Sequence, residues 1–169
     1  MKKYIIFMIV CLSFLGLTGC SGKSEEVSTA VTEETVILPG GGTNNVYVIT
    51  ANKKDDFSKA ELQAAGAVIE EAGYIVKARY HGGKEETQTK LLKGASGQKP
   101  AAIVCDYLES SQLAECLTIA KEAGIPVFLI GEETEGTNDA ALVIQTDRSN
   151  GKETGKEAGE QVVKYLAKE

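Results

Sequence analysis

The sequence predicts an α/β protein with a Rossmann-like, mainly parallel sheet and helices on both of its faces. Two observations carry this. Short apolar runs bounded by glycine or polar turns alternate with longer segments of helical periodicity. The corner Glu71-Ala72-Gly73-Tyr74 also recurs as Glu122-Ala123-Gly124-Ile125, so one helix-to-strand turn is used twice. Strands that alternate with helices are joined by crossovers, and crossovers make the sheet parallel.

The elements follow in order. Val46 to Thr50 is an apolar run of strand length, and Ser58-Lys59-Ala60-Glu61 has the spacing of a capping box that opens a helix. That helix carries Leu62, Ala65, Ile69 and Ala72 on one face and stops at Gly73, the residue type favoured just past a helix end. Tyr74 to Tyr80 is the second strand, Lys84 to Lys93 the second helix, and Ala101 to Cys105 the third strand, introduced by Pro100. Ser110 or Ser111 is expected to cap a third helix with the apolar line Leu113, Leu117 and Ala120, ending at Gly124. Ile125 to Ile130 and Ala140 to Thr146 are the last strands, and a final helix runs up to Lys168 with Ala158, Val162, Val163 and Leu166 as one apolar face.

The N-terminus has a different character. Lys2 and Lys3 precede an apolar run from Tyr4 to Leu17, followed by Leu17-Thr18-Gly19-Cys20. This order is that of a secretory leader, and the run is shorter than the roughly 20 residues that span a bilayer. It resembles the bacterial lipoprotein signal, which implies removal of residues 1–19 and a diacylglycerol thioether on Cys20, on the outer side of the cell membrane. Two acyl chains suffice for lasting anchorage where one does not. Residues 20–45 are rich in Ser, Thr, Glu and Gly and read as a flexible tether with a reach of roughly 25–30 Å, with Val36-Ile37-Leu38 as an alternative short strand.

These features narrow the function. Export removes ordinary access to nucleotides, NAD and nucleic acid. Loss of Lys2 and Lys3 leaves sixteen basic against 24 acidic residues, so the formal charge of −6 becomes −8, unsuited to phosphate backbones. Cys105 and Cys116 remain after export, either as a pair or as two buried thiols. They lie eleven apart with no second histidine, so no zinc pattern exists. His81-Gly82-Gly83 has no Gly-x-Ser-x-Gly partner, and His81 is expected to be a solvated loop residue. Neither an enzyme nor a cofactor is expected, and no metal.

In parallel sheets of this kind ligands sit beyond the carboxyl ends of the strands. There the sequence places Ala51 to Phe57, with Asn52, Asp56 and Phe57; then Asp106-Tyr107; then Gly131-Glu132-Glu133. An aromatic with carboxylates and an amide suits neutral polyhydroxylated or cationic ligands.

As an ordered set, the exported lipid-anchored start, the aromatic-bearing loop after the first strand, Ala123-Gly124-Ile125-Pro126-Val127 and Gly155-Lys156-Glu157-Ala158-Gly159-Glu160 resemble the ribose/galactose-type (type I) periplasmic binding proteins of ABC importers. The resemblance runs from about Val46 to the C-terminus. It implies that residues 46–147 form one lobe, that Asp147 lies where the chain crosses over, and that residues 148–169 begin a second lobe. It further implies a sugar or related solute held by Asn52, Asp56, Phe57, Asp106, Glu132 and Asp147, and an ABC permease as partner. The chain departs from the family's sugar binders at Gly131-Glu132, where they often carry Asp-Arg, and it reaches little beyond one lobe. A single-lobe surface module for protein interaction or sensing is the alternative.

Overall fold

The computed structural model describes residues 42–146 and 149–168. The expected leader, Cys20, the tether with Val36-Ile37-Leu38, and Asp147 lie outside the described residues.

Five parallel strands form one sheet in the order β2-β1-β3-β4-β5: β1 (Asn45–Thr50), β2 (Ile75–Tyr80), β3 (Ala102–Asp106), β4 (Val127–Ile130) and β5 (Leu142–Ile144). Because successive side chains point to opposite faces, each apolar run feeds two cores. Val46, Val48, Ala102, Val104, Phe128 and Ile130 pack under α1 (Asp56–Glu71) and α4 (Gly151–Leu166). Tyr47, Ile49, Ile103, Cys105, Val127 and Leu129 pack under α2 (Glu85–Ser96) and α3 (Leu113–Glu122). Helices therefore cover both faces, as the alternation predicts.

Cys105 and Cys116 both lie in the second core as free thiols, and burial raises both above the ordinary cysteine value. The repeated corner closes identically both times. Gly73 and Gly124 take positive φ angles of 90° and 73°. Their N–H groups bond Glu70 O and Lys121 O, and the next residues, Tyr74 and Ile125, bond back to Ile69 O and Ala120 O.

Several boundaries differ from expectation. The cap of α1 is Asp55, whose carboxylate accepts from the Ser58 N–H at 2.8 Å. Ser58 and Glu61 thus lie inside the helix, both buried. Asp and Ser are comparable caps, and the chain uses the earlier one. Neither Ser110 nor Ser111 caps α3, which starts after Gln112 without a side-chain cap. The strands β4 and β5 are shorter than their apolar runs, and β2 begins one residue late.

The resemblance implies that residues 148–169 begin a second lobe; in the structure α4 packs on this sheet beside α1. Ala158 and Val162 are fully buried there, and Tyr165 meets Phe128 edge to face at 5.5 Å. The reason is a glycine stripe, Gly151, Gly155 and Gly159, at four-residue spacing. A Cβ on Gly151 would collide with the carbonyl of Phe57, and one on Gly155 with that of Glu61. At Gly159 it would sit 3.0 Å from Ala65 O. Only hydrogen side chains let the two backbones approach this closely.

Candidate ligand face at the carboxyl ends of the strands

The strand order reverses between β1 and β3, and the loops that follow these strands diverge to opposite faces of the sheet. This is the switch point at which open α/β sheets bind ligands.

Asp106 closes β3 and is buried at this point, with 2% of its surface exposed. The loop it opens is clamped by two buried polar side chains, His81 from the β2–α2 connection and Gln88 from the first turn of α2. His81 accepts at Nδ1 from the Gly83 N–H at 3.1 Å, and its Nε2 contacts Asp106 O at 2.8 Å. A backbone N–H can only donate and a carbonyl only accept, so the ring is assigned the Nε2–H tautomer. Gln88 donates to Leu108 O at 2.8 Å and accepts from Leu108 N at 2.6 Å. The expectation of a solvated His81 is therefore wrong: it is 1% exposed and spends both ring nitrogens on backbone.

Tyr107 ties this loop to the next one. Its hydroxyl donates to Glu132 O, and its ring lies over Gly131, where a Cβ would come within 3.2 Å of Tyr107 Cδ1. Gly131 has φ 152°, so its backbone also favours glycine. Burial is the chief cause that raises the Tyr107 phenol above its ordinary value. The β3 and β4 loops thus form one rigid rim.

The structure brings some predicted site residues to this rim and not others. Asn52 is at the end of β1, exposed, with its Oδ1 accepting from Lys54 N at 2.9 Å in a local turn. Asp56 points outward into an ion pair with Lys59 at 3.0 Å, so it serves the helix start and not the rim. Phe57 is half-buried and its backbone is the contact for Gly151. Glu132 exposes its carboxylate while its carbonyl receives Tyr107. Sequence reasoning missed His81, Gln88 and the structural part of Tyr107. A histidine followed by two glycines was the available signal, since Gly82 and Gly83 both have positive φ and fold the backbone onto the ring.

Among the described residues no group of three or more His, Cys, Asp or Glu could hold a metal, and no helix is long and apolar enough to cross a membrane.

The family model described as "Periplasmic binding protein domain" matches residues 46–169, from β1 through α4. The chain belongs to this family. Membership implies an extracytoplasmic location. The D-apiose import binding protein of Actinobacillus succinogenes is 30% identical over 129 residues, which cover 76% of this chain and 41% of that protein. The chain therefore spans about two fifths of this relative's length. Among solved structures, an ABC sugar transporter subunit from Rhodobacter sphaeroides matches with a TM-score of 0.53 at 17% identity, over 72% of this chain and 52% of the other. A 3-dehydroquinate dehydratase-like protein from Bifidobacterium longum matches with a TM-score of 0.56 at 16% identity, over 74% of this chain and 98% of the other. At such identities both share the fold alone.

Proposed function

We propose that the chain is one lobe of a solute-binding lipoprotein that captures a sugar or related small solute for an ABC import system. The observation that carries this reading is the unbroken family match from β1 through α4, joined to a relative named as an import binding protein. The chemistry of the rim supports it. Asn52 follows β1 and Asp106 closes β3, the two strands of the switch point, and Glu132 follows β4, all three with hydrogen-bonding side chains. Phe57 on the first turn of α1 would offer an apolar surface, and Asp147 would complete the set at the crossing. Such a mixture of acceptors, amide and aromatic recognises hydroxyl groups, and it supplies no nucleophile with a positioned base. The lobe's role on this reading is to bind and hand on the solute. Its partners are the solute and a membrane permease. The lipid on Cys20 holds it at the outer face of the cell membrane, and loss of detergent-phase partitioning in Cys20→Ser tests the anchor.

One lobe covers half of a small ligand, whereas good pockets bury most of it. Calorimetric titration with D-apiose, other pentoses and hexoses tests the reading. The expected result is binding in the millimolar range, about −4 kcal/mol, well short of the −8 kcal/mol or so of a micromolar site. Silence across the panel overturns it, and favours a single-lobe interaction or sensory module. One observation speaks for that second reading: α4 packs on this sheet beside α1.

A further inference from the structure

A recessed polar site lies away from the strand-end rim. A cavity of about 320 Å³ lies between β2, at the edge of the sheet, and α2. It shares no residue with the rim. Its floor is apolar and aromatic, made by Tyr47, Leu91 and Ala95, and its polar groups are Arg79, Lys90 and Gln98.

The charge there opposes the charge of the molecule. Residues 74–99 carry six Lys and Arg against two Glu, a balance of +4 in a chain of −6. Lys90 is neutralised at the rim of the cavity by Glu86 at 2.7 Å. Arg79 is not. Its guanidinium lies over the Tyr47 ring at 5.3 Å and one nitrogen donates to Ala78 O at 2.7 Å, while no carboxylate among the described residues pairs with it. A guanidinium has five N–H donors in a planar fork that matches a carboxylate. Gly94 lines the cavity, and a Cβ there would meet nothing within 4 Å.

We propose that this cavity is a second binding site, for a small monocarboxylate with a hydroxylated or apolar body, of the size of a sugar acid. One uncompensated cation matches one negative charge. The apolar lining of Tyr47, Leu91 and Ala95 gives the body a surface to rest on, and Gln98 a neutral hydrogen-bonding partner. The volume exceeds what one hexuronate occupies and lies in the range of small-molecule sites.

The test uses amide-shift titration of the full chain with D-glucuronate, and with D-glucose as the uncharged counterpart. Glucuronate is expected to shift the amides of Tyr47, Arg79 and Gly94 and to bind at least tenfold more tightly than glucose at these positions. Arg79→Gln removes that preference. Gly94→Leu fills the cavity from an open helix position and abolishes the shifts while the rest of the spectrum stays native. Equal responses to the two sugars, shifts confined to other regions, or an unchanged glucuronate affinity in Arg79→Gln would each overturn the proposal.

Discussion

Gly155→Ala probes the crossing of α1 and α4, on which the shape of the lobe depends. The new Cβ would stand 2.7 Å from the carbonyl carbon of Glu61 and 2.8 Å from its Cα. Carbon atoms settle about 3.5–4.0 Å apart, so the helices must separate by about 1 Å. The neighbours are backbone, and no rotamer change relieves the contact. Overpacking of this kind costs about 3 kcal/mol, at the upper end of the usual range. The better helix propensity of alanine returns about 1 kcal/mol, which leaves a net loss of about 2 kcal/mol. For a domain of this size that lowers Tm by roughly 6–10 °C. Gly94→Ala is the internal control, since α2 accepts a Cβ there freely and gains helix propensity, so Tm rises by a few degrees. Thermal melts followed by far-UV circular dichroism read both. If Gly155→Ala melts with or above the parent, α4 does not lie against α1 and the reasoning fails.

Three further outcomes follow from the same packing. His81→Ala leaves the Asp106 carbonyl and the Gly83 N–H without their partner in a buried site, and urea unfolding is expected to show a loss of about 2–4 kcal/mol; an unchanged midpoint would mean the ring is solvated after all. Val162→Asp places a charge on a fully buried helix face and is expected to lower Tm by more than 10 °C or prevent folding, measured together with light scattering; a change in oligomeric state alone would mean the stripe is exposed. The hydrogen bond from the Ser58 N–H is the chief cause that holds the Asp55 carboxyl below the ordinary aspartate value. A depressed folded pKa gives stability that is present above the unfolded pKa, about 4, and lost as pH falls through the folded one. Asp55→Asn keeps the cap and removes that pH dependence, which acid titration of the melting temperature will show or deny.

Much of the architecture was legible in the sequence because it rests on local patterns. The continuous apolar runs Val46 to Ile49 and Val127 to Ile130 specify buried strands, and Gly73 and Gly124 mark helix ends through a conformation that other residues resist. The helix starts were less legible. Asp55 and Ser58 compete for one cap, and tertiary contact at the buried Ser58 decides between them. The candidate site was legible only in part. Its position at the strand ends follows from topology, but the clamp of His81 and Gln88 joins residues 25 and 20 positions apart through backbone groups, which no periodicity encodes. The glycine stripe on α4 was visible as a spacing. Its meaning required the opposing backbone of Phe57 and Glu61.

The central claim, that solute meets the carboxyl ends of the strands, is tested most directly by amide-shift mapping of the labelled chain during titration with D-apiose and related pentoses. The account predicts fast-exchange shifts confined to residues 51–57, 106–109 and 131–134, saturating in the millimolar range. Shifts centred on the opposite ends of the strands, a sub-micromolar constant for this lobe, or no shift anywhere would contradict it.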